Sequence, residues 1–216
     1  MRSQPPSLDY EDKLKLQGYE LIAGIDEAGR GALAGPVVAG AIILPRSHFP
    51  WFELVRDSKE LTARERESLF PFISREAIAV GVGVISCQVI DTVNILEATK
   101  LAMMQAIETL PEQPRFLLID GLGLSRCSIP QKKIIRGDKL CLSIACASII
   151  AKVTRDRIMK ELDKVYPGYG LARHKGYATR EHVSCLKQLG HSPIHRLSFA
   201  PVRNVIASEG KQSRIR

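Results

Sequence analysis

An α/β fold built on a mixed sheet is what this sequence predicts, and three observations predict it. Short β-compatible runs alternate with segments whose apolar residues recur at helical spacing, the pattern of helices layered on a sheet. Two of those runs, residues 21–26 and 36–44, follow one another across a glycine-rich turn, so the sheet opens with an antiparallel hairpin and cannot be wholly parallel. The chain has 216 residues, 45% of them hydrophobic, enough to bury one sizeable core without disulfide staples.

The remaining elements follow in order. Thr62 and Glu65 form a capping box, in which each side chain satisfies the other's free backbone amide, and start a helix running to about residue 72. Residues 77–86 read as a third strand, weakened by Gly81 and Gly83. Between residues 94 and 110, Leu101, Met104, Ile107 and Leu110 keep helical spacing until Pro111 and Pro114 stop the helix. A strand at 116–119 ends in Asp120 and Gly121, and 132–136 makes a fifth. From about residue 140 a long helix sets Ile144, Ser148, Ala151, Ile158 and Leu162 on one face, and its small residues Ala145, Cys146, Ala147 and Ser148 permit close approach to a sheet. Pro167, Gly168 and Gly170 end it, and Thr179 caps a shorter helix to about residue 189, after which the chain reads as irregular. The division this suggests is an N-terminal extension over 1–18, one domain over 19–206 and a disordered polar tail over 207–216.

The formal charge of +8 favours anionic partners, nucleic acid first among them. Five cysteines form no CxxC pair and their number is odd, so a reducing, cytoplasmic setting is expected. The apolar stretch 32–44 is too short and glycine-rich to span a bilayer, and no membrane partner is expected.

Chemistry gathers at acids on strand ends. Asp26 and Glu27 close the first strand, Asp120 closes the fourth in FLLIDG, and Asp138 follows the fifth in IIRGDKL. Strand ends beside glycines are where side chains distant in sequence meet around one ligand. Several carboxylates together can hold two hard divalent cations about 4 Å apart. Consecutive strand residues point to opposite faces, so Glu27 joins such a site only if the strand breaks there or if it acts through its backbone. Against this, Asp before Gly often only forms a turn, and Asp138 could be a helix N-cap. Asp156, flanked four residues away by Lys152 and Lys160, reads as a solvated ion-pair partner, and Asp57 and Glu60 as loop residues. Gly24 and Gly29 have P-loop spacing, but Arg30 and Gly31 stand where that loop needs Lys and Ser or Thr, and no GxGxxG follows the strand. Residues 170–200 carry Arg173, Lys175, Arg180, Lys187 and Arg196 against Glu181 alone, a basic stretch suited to a phosphate backbone. The histidines there lack zinc-site spacing, apart from His191 and His195 in proline-broken chain, and read as structural or phosphate-facing.

Seven segments then resemble bacterial ribonuclease HII: IDEAGRGALAGPV from Ile25, DSKEL from Asp57, ILEATKLAM from Ile95, LLIDG from Leu117, GDKLCLSIACASIIAKVTRDR from Gly137, HKGYATREH from His174 and HRLSFAPV from His195. Ala32 departs from the family in standing where relatives often carry proline. The resemblance implies a ribonuclease H-like mixed sheet flanked by helices, with a small helical C-terminal part. It implies cleavage of the RNA strand of RNA/DNA hybrids, and at a single ribonucleotide within duplex DNA, leaving 5′-phosphate and 3′-hydroxyl ends. By that resemblance Asp26, Glu27, Asp120 and Asp138 are the catalytic acids and hold the divalent cation, Mg2+ or Mn2+. Gly29, Arg30, Gly31 and Tyr177 contact the substrate, with Lys59 and Lys175 as further candidates. No obligate protein partner is implied. The competing expectation is a non-catalytic basic nucleic-acid-binding protein, for which the acids would be turn residues.

Overall fold

The computed structural model describes residues 5–212. Five strands, β1 (Ile22–Ala28), β2 (Val37–Ile43), β3 (Ala79–Ile85), β4 (Phe116–Asp120) and β5 (Gln131–Ile134), form one sheet in the order β3-β2-β1-β4-β5. β2 runs antiparallel to β1 and to β3, whereas β4 lies parallel to β1 and β5 to β4. The expected hairpin and mixed sheet are both present.

Helices cover the two faces. On one, α4 (Ile95–Glu108) lies mainly over β3 and β2, and its Ala98, Ala102, Met103 and Ala106 share a core with Ala23 and Ile25 of β1 and Leu117 and Ile119 of β4, with α3 (Cys87–Val93) leading into it. On the other, α6 (Leu142–Val165) lays its small residues 145–147 with Ile149 and Ile150 beside Ile42, and α2 (Ala63–Glu76) adds Leu69 and Ile73. A Cβ on Gly83 would collide with the carbonyl of Ala102 in α4, and one on Gly40 with that of Ala147 in α6. The glycines that weaken β3 as a sequence signal are thus what let helix and sheet close on each other.

Because strand side chains alternate, Ala23 and Ile25 face α4 while Gly24 and Asp26 face α6. That parity decides where the acids go.

Local signals held where capping chemistry was explicit. Thr62 Oγ1 accepts from Glu65 N at 3.2 Å and Glu65 Oε2 from Thr62 N at 2.7 Å, the expected capping box. Asn94 starts α4 by accepting from the amides of Leu96 and Glu97. Elsewhere the fold corrects the reading. Residues 9–15, within the expected extension, form α1 (Asp9–Lys15), which buries Glu11 and Leu14 and anchors α6 through the Ser143 amide, 2.9 Å from Glu11 Oε1. The chain beyond residue 189 is not irregular throughout, since α9 (Ala200–Gln212) buries Val202 and Val205 against Leu33 and Leu186. Its Pro201 looks like a breaker in sequence but sits in a first turn, where no amide is needed. The helix also runs past Ala207, where a disordered tail was expected, to Gln212; residues 213–216 of that tail lie outside the described residues. Asp156 is buried rather than solvated: it accepts from Lys152 Nζ at 2.6 Å and faces Arg66 at 4.0 Å.

Candidate active site

Ile25 of β1 lies opposite Ile119 of β4 in the parallel ladder, so Asp26 and Asp120 follow at the same sheet end and on the same face. Asp138 arrives differently from the expectation, since β5 ends at Ile134. Arg136, held at φ 57°, then reverses the chain into α5 (Gly137–Leu140), a single turn carrying Asp138. Asp138 is therefore neither at a strand end nor an N-cap. The amide of Gly137 donates to Asp120 Oδ1 at 2.6 Å, which docks that turn against β4. As a result Asp26, Asp120 and Asp138 each offer a carboxylate oxygen, all within 4.8 Å of one another.

Glu27 stays out of this trio. β1 runs on regularly to Ala28, so the strand does not break, and Glu27 is not among the carboxylates that meet within 4.8 Å, although its charge reaches Asp26 and Asp120. Its Oε1 accepts from Arg30 at 3.1 Å, its Oε2 is buried without a partner, and its amide donates to Asp26 Oδ1 at 2.7 Å.

These carboxyls are held away from their ordinary ionisation. Burial, then the charges of Glu27 and Asp120, raise Asp26 well above the usual carboxylate range, against hydrogen bonds from Ser148 and the Glu27 amide. Burial likewise raises Asp120, with the Gly137 amide opposing and the charge of Asp138 adding. Glu27 is raised by burial despite Arg30. Three crowded hard-oxygen donors, a buried unpartnered oxygen on Glu27 and carboxyls whose ionisation is opposed by burial and by one another fit a divalent cation of the Mg2+ or Mn2+ kind.

Lys59 reaches the same acids. Its ammonium lies 2.9 Å from Asp138 Oδ2 and 3.8 Å from Asp57 Oδ1, with three-quarters of the side chain exposed. Partial burial works against its charge, but the bond to Asp138 outweighs this and raises its pKa. Asp57 is a loop residue, as expected, yet buried between Lys59 and Lys139.

Gly29, Arg30 and Gly31 form the turn leaving β1. Gly29 has φ 95°, and a Cβ there would strike the Arg155 side chain. A Cβ on Gly31 would meet nothing, so no packing within the described chain demands glycine at this exposed position. Two fully buried guanidiniums clamp the segment that follows. Arg155 donates to the carbonyls of Ala34, Pro36 and Lys175, and Arg196 to those of Arg30, Gly35 and Pro36, at 2.9–3.1 Å. Tyr177 pairs with Ala32 in an isolated antiparallel bridge, and its half-buried ring lies 5.2 Å from the Arg155 guanidinium and 5.6 Å from the Lys152 ammonium. Lys175 folds its ammonium back onto the carbonyl of Ala172, and burial lowers its pKa.

A family model described as Ribonuclease HII matches residues 23–202. The chain belongs to the ribonuclease HII family. Ribonuclease HII of Dehalococcoides mccartyi is 56% identical over 202 residues, covering 93% of this chain and 95% of that protein. The crystal structure of ribonuclease H2 from Pyrococcus horikoshii OT3 aligns with a TM-score of 0.73 at 28% identity, covering 89% of this chain and 100% of the other. Bst-RNase HIII in complex with Mn2+ shares the fold, with a TM-score of 0.71 at 20% identity over 96% of this chain and 72% of that one. A member of the ribonuclease HII family is a ribonuclease H, a metal-dependent hydrolase, which sets aside the alternative of a non-catalytic binding protein.

Within this ribonuclease HII chain the basic stretch divides. Arg196 is fully buried and serves the clamp, so it does not face phosphate as expected. Arg173, Arg180 and Lys187 are exposed, Arg173 in an ion pair with Glu181. His174, His182 and His195 are buried in one cluster, whereas His191 is exposed. No helix among the described residues is long and apolar enough to cross a membrane. Sequence reasoning missed Ser148, which hydrogen-bonds Asp26, and both clamping arginines. In the sequence Ser148 is one small residue among its packing neighbours, and nothing local distinguishes a buried arginine from a solvated one.

Proposed function

We propose that this chain is an endonuclease that cuts the RNA strand of RNA/DNA hybrids and nicks duplex DNA at a single embedded ribonucleotide, leaving 5′-phosphate and 3′-hydroxyl ends. The observation that carries this reading is the convergence of Asp26, Asp120 and Asp138 within 4.8 Å at one sheet end. Held by these three acids, a pair of divalent cations, Mg2+ or Mn2+, would supply an activated water and positive charge for the departing oxygen. The protein's own part is to aim the carboxylates: the Glu27 amide and Ser148 fix Asp26, the Gly137 amide fixes Asp120, and Lys59 fixes Asp138. Glu27 contributes to Asp26 through its backbone, and its unpartnered Oε2 is free to serve a ligand.

Selection of RNA requires contact with the 2′-hydroxyl. The backbone of Gly29, Arg30 and Gly31 can approach a sugar closely, and the open space above Gly31 supports that role. Tyr177, next to this turn through its bridge with Ala32, offers a hydroxyl and a ring to the following sugar. Lys59, Arg30 and the exposed cations of the C-terminal part suit phosphate contacts; Lys175, folded onto a carbonyl, would have to swing outward to join them. The test is a labelled DNA duplex carrying one ribonucleotide, incubated with Mg2+ or Mn2+. Nicking at that nucleotide with the stated ends is expected, and an intact duplex, or equal cutting of all-DNA strands, would contradict it.

A further inference from the structure

Behind Tyr177 lies a chain of three buried imidazoles. The rings of His174 and His182 stack with centroids 4.4 Å apart, and His182 Nε2 lies 3.1 Å from His195 Nε2. The partners fix every proton. His174 Nδ1 accepts from the Gly176 amide at 3.2 Å, so its proton is on Nε2, donated to the Tyr169 carbonyl at 2.7 Å. His182 Nδ1 faces the Tyr177 carbonyl at 3.0 Å, which only accepts, so Nδ1 carries the proton and Nε2 is bare. His195 Nδ1 accepts from the Ser192 amide at 3.0 Å, and its Nε2–H donates to His182. Each ring nitrogen is thus matched in the neutral form, His195 Nδ1 by both the amide and the hydroxyl of Ser192.

This chain ends on both elements read above as sensing the ribose. His182 holds the Tyr177 carbonyl and His174 the amide of Gly176 just before it. His195 bridges Ala34, and its neighbour Arg196 holds the Arg30 carbonyl. The geometry points to His174, His182 and His195 as positioning residues that set Tyr177 and the Gly29–Gly31 turn at a fixed separation for recognition of the ribonucleotide. They touch neither substrate nor the acids; they act through the backbone of the groups that do. The inference rests on the reading that Tyr177 contacts the sugar.

The experiment compares four variants, three at His182 and one at Tyr177, with wild type on the single-ribonucleotide duplex. Asn at position 182 can present an amide N–H near the place of Nδ1, whereas Gln presents its amide near Nε2. His182→Ala is expected to lower kcat about tenfold or more with KM within about twofold, since small displacements of positioned groups cost rate before affinity. His182→Asn recovers most of the loss. Should the alanine variant fail to fold, His182→Asn against His182→Gln asks the same question, with Asn faster by about tenfold expected. Equal rates for Ala and wild type, or for Asn and Gln, overturn the proposal. Tyr177→Ala separates the two layers. If it is impaired while His182→Ala is not, the positioning role alone fails; if it cleaves at the wild-type rate, the reading of Tyr177 fails and the histidines have nothing to position.

Discussion

At the open end of β1 and β4, three carboxylates crowd within 4.8 Å and the nearby Glu27 leaves a buried oxygen unpartnered. Around α7 (Leu171–His174), α8 (Arg180–Leu189) and the segment before α9, three imidazoles and two guanidiniums are buried just as deeply, yet each finds donors or acceptors inside the chain. The first region retains repulsion and unmet hydrogen-bonding capacity beyond what Lys59 offsets, which an external cation would relieve. The second has nothing left to bind and so serves as scaffold. A buried polar cluster points to a ligand when its polarity is unbalanced, and to structure when it is balanced.

Asp26 is where the acid cluster is most exposed to a single substitution. Asp26→Asn should lower cleavage about a hundredfold or more, the order lost with one contact made to developing charge, while leaving hybrid binding largely intact. It should also raise the melting temperature of metal-free protein. A carboxyl whose folded pKa is raised gives stability that is lost as pH rises through that pKa, and Asn keeps the bond from the Glu27 amide without the charge. A lower melting temperature together with retained turnover would show that the cluster is not repulsive.

The balanced region should respond in the opposite sense. Arg196→Met leaves the carbonyls of Arg30 and Gly35 without this donor, while Pro36 keeps Arg155, and at roughly 1–3 kcal/mol per buried acceptor left unsatisfied should cost about 2–6 kcal/mol. A melting temperature within a degree or two of wild type would contradict this.

Acid sharpens the contrast. Burial lowers His174 and His182, and lowers His195 to about 4, so the unfolded chain, with histidines near about 6.5, takes up protons first. Their contribution to stability is lost as pH falls from about 6.5 through about 4, whereas the raised acids gain stability over their own range. Thermal melts should therefore fall more steeply with acid in Asp26→Asn than in wild type, and parallel curves would count against the account.

The smallest expected effect lies at the edge between the regions. Gly31→Ala meets no neighbouring atom, so its melting temperature should stay close to wild type while cleavage at an embedded ribonucleotide falls roughly tenfold. Equal loss of stability and activity would mean that Gly31 serves the fold instead.

What was legible in the sequence follows the same division. The hairpin and the Thr62 capping box come from near neighbours, and both are present; strand alternation left Glu27 with a side-chain or a backbone role, and the unbroken β1 keeps it out of the Asp26, Asp120 and Asp138 trio. Asp138 was found as a residue but misplaced on a strand end, because its turn depends on Arg136 adopting a left-handed backbone that no local signal demands. Arg155 and Arg196 were illegible as clamps, since their carbonyl partners come from segments more than a hundred residues away, apart from Lys175. Helices α1 and α9 form because buried residues such as Leu14 and Val202 meet distant partners, and their own periodicity is too short to announce them.

Anomalous diffraction from crystals grown with Mn2+ tests the acid cluster most directly. The account predicts a manganese peak ringed by the carboxylates of Asp26, Asp120 and Asp138. Manganese bound elsewhere on the chain with that pocket empty would contradict it.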